Sequence, residues 1–363
     1  MTLRLRSGQA LRLRSGQALR LRSLRLRSGQ VPRSTRIAAI ALLCALAVPQ
    51  PAFAYLKFTT RTLRGNVVTL GWSGTPVRWF ATERGVPGVS AAEFQAAMAR
   101  AFATWETVPT ATIAFQFAGF TRAEAFEDDD RSVVGFQDEP ELERVLGATG
   151  FVVDVTTGEI VESDIFFNST FNWSAATSGE AGRFDLESVA VHEAGHLLGL
   201  GHSALGETEM IAGGRRVTAS GAVMFPISFG SANTADRELQ PDDVAGVSDL
   251  YPASGYRANT GAARGRVTMN GQPVFGAHVV AFNPETGSLI AGFTVNADGE
   301  FEITGLAPGP HVIRVEPLDD ADVDSFFDEE DIEVDFRVAY FDRLLVAPRG
   351  GVGERFDVAV TPK

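Results

Sequence analysis

Cysteine is nearly absent from this sequence, and the one copy, Cys44, lies in an apolar run from Ile37 to Val48. Arg33 and Arg36 precede this run and Ala52-Phe53-Ala54 follows it, which is the three-part pattern of a secretory signal peptide. At about twelve residues the run is too short for the roughly twenty that span a bilayer. We therefore predict cleavage near Ala54 and a secreted, extracellular or periplasmic chain with no stable membrane insertion, no disulfide and no cysteine nucleophile.

Acidic residues are missing from the first 54 residues, which contain ten Arg. Leu3 to Gln30 repeats the motif LRLRSGQA and is typical of a disordered leader or a wrongly assigned start, with a nucleic-acid-binding arm as the alternative. Beyond residue 54 the balance reverses, to 22 Lys and Arg against 45 Asp and Glu. This excess of negative charge argues against nucleic acid as a partner of the exported chain.

The distribution of helix and strand signals divides the chain into domains. Residues 1–54 are the low-complexity leader and signal peptide, 55–253 mix helix and strand patterns, and 264–363 contain short strand-like runs and turn residues. A linker rich in Gly, Ser and Asn is predicted at 254–263. Because every candidate catalytic residue precedes the linker, we expect the second domain to fold alone and to be dispensable for catalysis.

In the first domain, Ser90 and Glu93 form a capping box for a helix with an apolar core stripe. The stripe consists of Phe94, Met98, Ala101, Phe102 and Trp105. A mixed sheet is predicted from three strand-like runs and a hairpin, at 75–80, 112–117, 132–136, 145–153 and 159–168. The hairpin arm at 145–153 is either a plain structural strand or an edge to which an extended peptide pairs.

A second helix is predicted from its N-cap, Asp185, to Gly199. His192 and His196 are four residues apart, so they lie one turn from each other on the same face and can bind one ion. Gly199 can take a left-handed conformation, which lets the chain double back and bring His202 round as a third ligand. Three neutral imidazoles leave the fourth tetrahedral position to water, as in a catalytic zinc site.

Glu193 directly follows the first of these histidines. Three of the five histidines in the chain fall within HEAGHLLGLGH, each at a ligand position, which favours a metal site over scattered core or surface histidines. Zinc lowers the pKa of bound water towards about 7 and polarises a scissile carbonyl. Glu193 is then placed to accept a proton from the water and pass it to the leaving amine.

Three segments resemble the matrixin branch of the metzincins, the family of the matrix metalloproteinases; they are Phe184 to Ser203, Ala222 to Pro226 and Leu239 to Pro252. The resemblance implies an α+β metzincin domain, with a mixed twisted sheet and an active-site helix, that cleaves proteins or peptides outside the cell, as in the extracellular matrix. It also implies that Met224 is the Met-turn residue beneath the zinc. Asp242 and Asp243 would brace the floor of the site.

Two departures accompany this resemblance. Met224 lies 22 residues after His202, a longer link than is usual, and Met210 is an alternative Met-turn residue. Thr149 and Phe166 stand where vertebrate matrixins bind a second, structural zinc, so one catalytic zinc is expected.

The exported chain also lacks the cysteine of a propeptide switch. Only about twenty residues separate Ala54 from the first strand, too few for a folded prodomain. By resemblance, a new amino terminus at Tyr55 pairs with Asp242 or Asp243; a frayed terminus is the alternative.

The second domain resembles the carboxypeptidase regulatory-like, transthyretin/Ig-like sandwich, with turns at Asn270-Gly271 and Asp298-Gly299. The acidic run from Asp319 to Asp335 favours a solvated loop, with a Ca²⁺ site as the alternative.

Together these features favour a monomeric, secreted zinc-dependent endopeptidase acting on protein or peptide substrates. The loop from Ile227 to Asp236 is expected to shape its primed-side pocket. The alternative is a non-catalytic adhesion or binding protein with a metalloprotease-like scaffold, which would have no need of Glu193.

Overall fold

The fold is taken from a computed structural model that describes residues 56–62, 65–127, 129–211, 214–318, 325–327 and 332–363 and the backbone of 2–5 and 10–12. The predicted signal peptide with Cys44, the residue Tyr55 and ten residues of the acidic run lie outside the described residues. No helix within the described ranges is long and apolar enough to cross a membrane.

The first half of the chain mixes helices and strands. Its helices are α1 (Ala91–Glu106), α2 (Leu186–Leu197) and α3 (Pro241–Leu250), with a short 3-10 turn at Ala235–Arg237. Its strands are β1 (Thr2–Leu5), β2 (Ala10–Arg12), β3 (Thr59–Arg61), β4 (Val67–Thr69), β5 (Val77–Thr82), β6 (Phe115–Thr121), β7 (Ser132–Gln137), β8 (Val145–Asp154), β9 (Ile160–Asn168), β10 (Trp173–Ser174), β11 (Phe184–Asp185), β12 (Gly206–Ile211) and β13 (Gly214–Ser220). The predicted strands are present, with bounds shifted by a few residues.

The main sheet has the strand order β8, β9, β7, β5, β6. β8 is antiparallel to β9, as the hairpin predicted, and the other neighbours are parallel. The backbones of β1 and β2 pair antiparallel along the other side of β8. The side of β8 that faces away from β9 therefore accepts an added strand.

Helix α1 packs its apolar face against this sheet and against α2. The predicted capping box is confirmed: the amide of Glu93 donates to Oγ of Ser90 at 3.3 Å, and the amide of Ser90 donates to the Glu93 carboxylate at 2.8 Å. The predicted apolar stripe is buried. Trp105, the last residue of the stripe, donates from Nε1 to the carbonyl of Val191 at 2.9 Å and so ties α1 to the middle of α2.

The second half is a β-sandwich-like region. Together with the helices and strands of the first half, it confirms the predicted α+β class. It begins with the helical turn α4 (Tyr256–Asn259) and continues with β14 (Gly261–Met269), β15 (Gln272–Pro273), β16 (His278–Phe282), β17 (Leu289–Phe293), β18 (Glu300–Leu306), β19 (Gly309–Glu316), β20 (Ala339–Tyr340), β21 (Leu345–Ala347) and β22 (Val352–Val360). One sheet joins β14, β15, β18 and β22, and the other joins β16, β17, β19, β20 and β21.

The two halves share a core. Leu205 and Ala222 of the first half are buried against Val280 and Ala291 of the second. Inside the predicted linker, Tyr256 is buried and its hydroxyl donates to the carbonyl of Ala245 at 3.3 Å. The expectation that the second domain is dispensable does not match these contacts, because apolar surface buried between the halves would be exposed to water if either were removed.

Candidate metal centre

The helix that carries the histidines is fixed at its first turn. Asp185 caps it as predicted, accepting a hydrogen bond from the amide of Ser188 at 2.9 Å. The guanidinium of Arg237 lies across the same carboxylate, with Nε to Oδ2 at 2.8 Å and a second nitrogen to Oδ1 at 2.5 Å. A bidentate pair to a buried carboxylate holds both partners in one geometry, so the start of α2 is anchored to the loop before α3.

Three histidines converge at the other end of this helix. Nε2 of His196 lies 3.1 Å from Nε2 of His192 and 3.2 Å from Nε2 of His202. Gly199 ends the helical segment with φ of 103° and allows the reversal that returns His202 to the helix face. Among the described residues, these three form the group of His, Cys, Asp or Glu side chains that could hold one metal ion.

Each of the three imidazoles has a backbone carbonyl at its other nitrogen. Nδ1 of His192 lies 2.8 Å from the carbonyl of Val223, Nδ1 of His196 2.8 Å from that of Leu200, and Nδ1 of His202 2.8 Å from that of Ser325. A carbonyl can only accept, so each Nδ1 carries the proton. All three Nε2 atoms are therefore unprotonated in the neutral ring and present their lone pairs to one point, as metal binding requires.

Burial keeps two of these rings neutral. Burial lowers the pKa of His192 to about 4. The pKa of His196 is held well below its usual value, first by burial and then by the two neighbouring imidazoles. Neutral imidazole is the form that ligates metal, so the donor set fits a single ion near neutral pH.

Glu193 lies beside this group and is held by a residue from the edge strand. Oγ1 of Thr149 on β8 is 2.7 Å from Oε2 of Glu193 and 3.1 Å from its backbone carbonyl. The sequence indicated for Thr149 only that a ligand of a second zinc is missing there. Side chains along a strand point alternately to its two faces, and this alternation along β8 was the one signal that could have placed Thr149 on the face of the site.

Met224 lies directly beneath the histidine helix. A Cβ on Gly195 would come within 2.3 Å of Sδ of Met224 and 2.9 Å of the ring of Trp105, so only glycine fits between the two histidines of α2. Met210, the alternative Met-turn residue, is on the hairpin β12–β13 and is 67% exposed. That hairpin accounts for the long link between His202 and Met224.

Asp243 contacts the backbone next to the histidine helix. Its carboxylate accepts from the amides of Val223 at 2.8 Å and Met224 at 3.1 Å, and the carbonyl of Val223 in turn holds His192. Asp242 accepts from the hydroxyl of Ser203 at 2.7 Å and from the amide of Ala291 at 2.9 Å. Asp243 is thus linked to His192 through Val223, and Asp242 joins Ser203, the neighbour of His202, to the second half of the chain.

The segment that begins at Leu56 docks beside the second and third histidines. The carbonyl of Leu56 accepts from the amide of Gly201 at 2.6 Å, and the ring of Phe58 lies 5.6 Å from that of His196. The ion pair between this segment and α3 joins Lys57 to Asp249. The predicted pairing of the Tyr55 amine falls outside the described residues.

A small cavity opens beside His192. Its walls come from the first turn of α2, from the backbone around Val223 and from the predicted loop, with Ile227, Ser228, Gly230 and Asp236 among the lining residues. Burial, with the nearby charges of Asp243 and Asp185, raises the pKa of Asp236 to about 6.

Asp242 gives the protein a specific pH dependence of stability. Burial, followed by the charge of Asp243, raises its pKa from 3.8 to about 7. The folded protein therefore binds more protons than the unfolded chain between these values, so the contribution of Asp242 is fully present below about pH 4 and is lost as pH rises through about 7. Relative to Asp242→Asn, the wild type should lose about 1 kcal/mol or more of unfolding free energy from pH 5 to pH 8.

Urea unfolding of both zinc-loaded proteins at the two pH values measures this difference. Asp298→Asn, a change at an exposed carboxylate in a turn, is the control. A wild-type stability that holds steady or rises with pH relative to Asp242→Asn would mean that the Asp242 carboxyl is already ionised at pH 5.

Three buried imidazoles on a helix and the loop after it, with a carboxylate beside the first, form a donor set that fits a single metal ion. The chain belongs to the matrixin family: the Matrixin family model matches residues 71–252. A carboxypeptidase regulatory-like domain matches residues 262–321. The matrixin match includes all three histidines.

The chain is similar to known metalloproteinases. The chain is 30% identical over 174 residues to Metalloendoproteinase 2-MMP of Arabidopsis thaliana, covering 45% of this chain and 38% of that protein. It is 31% identical over 166 residues to Metalloendoproteinase 1 of Glycine max, covering 44% and 45%. It is 34% identical over 94 residues to Matrix metalloproteinase-20 of Homo sapiens, covering 26% and 16%. The chain thus spans less than half the length of each.

Proposed function

We propose that this chain is a secreted zinc-dependent endopeptidase, with zinc held by Nε2 of His192, His196 and His202. The observation that carries the proposal is that a carbonyl occupies Nδ1 of each ring, which leaves three Nε2 lone pairs directed at one point. Three imidazoles suit zinc and leave a coordination position for water. Membership of a zinc-dependent protease family supports the same metal.

Glu193 is proposed as the general base of the reaction. Zinc, when bound, lowers the pKa of water and polarises the scissile carbonyl. Glu193 then takes the proton from the attacking water and delivers it to the nitrogen of the leaving amine. Thr149 positions the carboxylate, since its hydroxyl donates to one oxygen at 2.7 Å. Met224 supports the two helical histidines from below, and Asp243 holds the backbone that carries both Met224 and the partner of His192.

The substrate is proposed to be an extended stretch of protein or peptide that pairs antiparallel with β8. The pairing of β1 and β2 with this edge supports the proposal, because main-chain hydrogen bonds there do not depend on the sequence of the added strand. The side chain after the scissile bond would enter the cavity beside His192. Signal cleavage near Ala54 would free this edge from the leader.

One zinc per chain and internal peptide cleavage are the expected results for the purified protein beginning at Tyr55. Metal analysis should find one zinc, a chelator should abolish cleavage of a peptide with blocked termini, and added zinc should restore it. At zinc concentrations about 1,000 times the Kd, binding should also stabilise the fold by about 4 kcal/mol. Folded protein without zinc would contradict the proposal, and bound zinc without cleavage would favour the non-catalytic binding protein.

A further inference from the structure

Residues 325–327, which lie between β19 and β20 in sequence, reach the metal centre from the second half of the chain. The carbonyl of Ser325 accepts the hydrogen bond from Nδ1 of His202 at 2.8 Å, across 123 residues of sequence. Both partners are buried, with His202 1% and Ser325 4% exposed. Ser325 lies outside the residues that either family model matches.

His202 differs in this respect from the other two histidines. The carbonyls at Nδ1 of His192 and His196 belong to Val223 and Leu200, both in the first half. The carbonyl at Nδ1 of His202 belongs instead to the second half, which contributes none of the three histidines.

Phe326 directly follows Ser325 and packs between the two halves of the chain. Its ring lies 5.8 Å from the ring of His202 and 5.7 Å from that of Phe293 on β17. It belongs to an interdomain cluster of buried apolar residues, which consists of Ala204, Val217, Phe225, Ile227, Phe293, Val295, Leu318 and Phe326. The neighbouring ring of Phe327 is only partly buried and packs against the edge of this cluster, 5.3 Å from the ring of Phe275 and 5.5 Å from that of Phe293.

We propose that the Ser325 carbonyl, held in place by Phe326, is a positioning group through which the second domain sets the zinc affinity of the protease domain. A carbonyl at Nδ1 directs the Nε2 lone pair and raises the basicity of the ring, and loss of such a partner typically lowers metal affinity by about 10 to 100-fold. The inference rests on the proposed zinc site, and its test is chosen so that the two can fail separately.

The most direct test weakens one acceptor and leaves every side chain in place. Phenyllactic acid, the α-hydroxy analogue of phenylalanine, at position 326 converts the Ser325 carbonyl into an ester carbonyl, which is a weaker acceptor. The same substitution at position 327 alters the carbonyl of Phe326 and is the matched control. In full-length protein, chelator competition should give a zinc Kd raised several-fold, up to about 10-fold, by the first ester and within about twofold of wild type for the second.

Side-chain variants test the same proposal through the ring that holds the carbonyl. Phe326→Ala should raise the zinc Kd by about 10-fold or more, Phe326→Leu should restore most of the affinity, and Phe327→Ala should stay near the wild-type value. Excess zinc should recover the peptidase activity of Phe326→Ala, which simple loss of folded protein would not allow. Circular dichroism at the assay temperature verifies that equal amounts of each protein are folded.

The outcomes separate the two proposals. A wild-type protein that binds no zinc would defeat the proposed function itself. Normal zinc binding with equal Kd values for the two esters would overturn the positioning role of Ser325 and leave the proposed function intact. If Phe326→Ala does not fold, the pair of esters decides, because neither removes an apolar contact.

Discussion

Replacing Glu193 with glutamine is expected to lower turnover of a peptide substrate by about 100-fold or more while zinc remains bound. The carboxamide keeps the volume of the side chain and its oxygen can still accept from Thr149, but it cannot take a proton from water. The measurement is kcat for a peptide with blocked termini, together with metal analysis of the same sample. Because proton transfer belongs to the transition state, the loss should fall on kcat and leave KM nearly unchanged.

The control for this experiment is Glu141→Gln, which makes the same chemical change at an exposed position in the loop between β7 and β8. It should leave kcat and zinc content unaltered. Glu193→Ala should show a comparable loss of turnover with zinc retained. A Glu193→Gln protein with wild-type kcat would show that another group is the base.

A chain that ends at Ala253 is expected to be much less stable than the full protein, although every histidine of the site remains. The truncation would expose Phe225 and Ile227, which the interdomain cluster buries, and Leu205, which packs on Val280 and Ala291. Burial of one such side chain is worth roughly 1.5 to 3 kcal/mol, so exposing these three removes about 4.5 to 9 of the roughly 5 to 15 kcal/mol that a domain has. We expect Tm to fall by about 10 °C or more.

The truncation also removes two polar partners from the site. Asp242 loses the amide of Ala291, and His202 loses the carbonyl of Ser325. Thermal unfolding of the truncated and full-length proteins, both with saturating zinc, measures the effect. Supplying residues 254–363 as a separate polypeptide is the matched test of specificity, since rebinding should recover part of the lost stability. Equal Tm values for the two chains would show that the protease domain is self-sufficient.

Local sequence patterns predicted the features that depend only on residues close together in the chain, such as helix caps and helix faces. The capping box of α1 and the Asp185 cap of α2 each join residues three apart in sequence, and the four-residue spacing of His192 and His196 sets their common helix face. Gly199 could be expected to reverse the chain because a left-handed φ favours glycine. The apolar periodicity of α1 similarly indicated its buried face. These features do not depend on what lies elsewhere in the fold.

The different surroundings of Met210 and Met224 became visible only in the tertiary structure. Both are flexible apolar side chains, and sequence gave only the weak distinction of the residues that follow them. The hairpin β12–β13 carries Met210 away to a position 67% exposed, whereas Met224 packs under Gly195. Which side of a hairpin faces solvent is decided by what the rest of the chain packs against it.

By itself, the sequence determined the chemistry of the centre: three imidazoles and a carboxylate at spacings that a helix and one reversed turn convert into a single site. Only the tertiary structure decided how that chemistry is supported, through Thr149 at Glu193, Ala291 at Asp242 and Ser325 at His202. Two of these three contacts use a backbone amide or carbonyl. Nearly every residue type has these groups, so the sequence does not indicate where such contacts form. Helices and strands alternate in the first half and strands dominate the second, but a core shared by both halves depends on apolar surfaces meeting across more than fifty residues of chain.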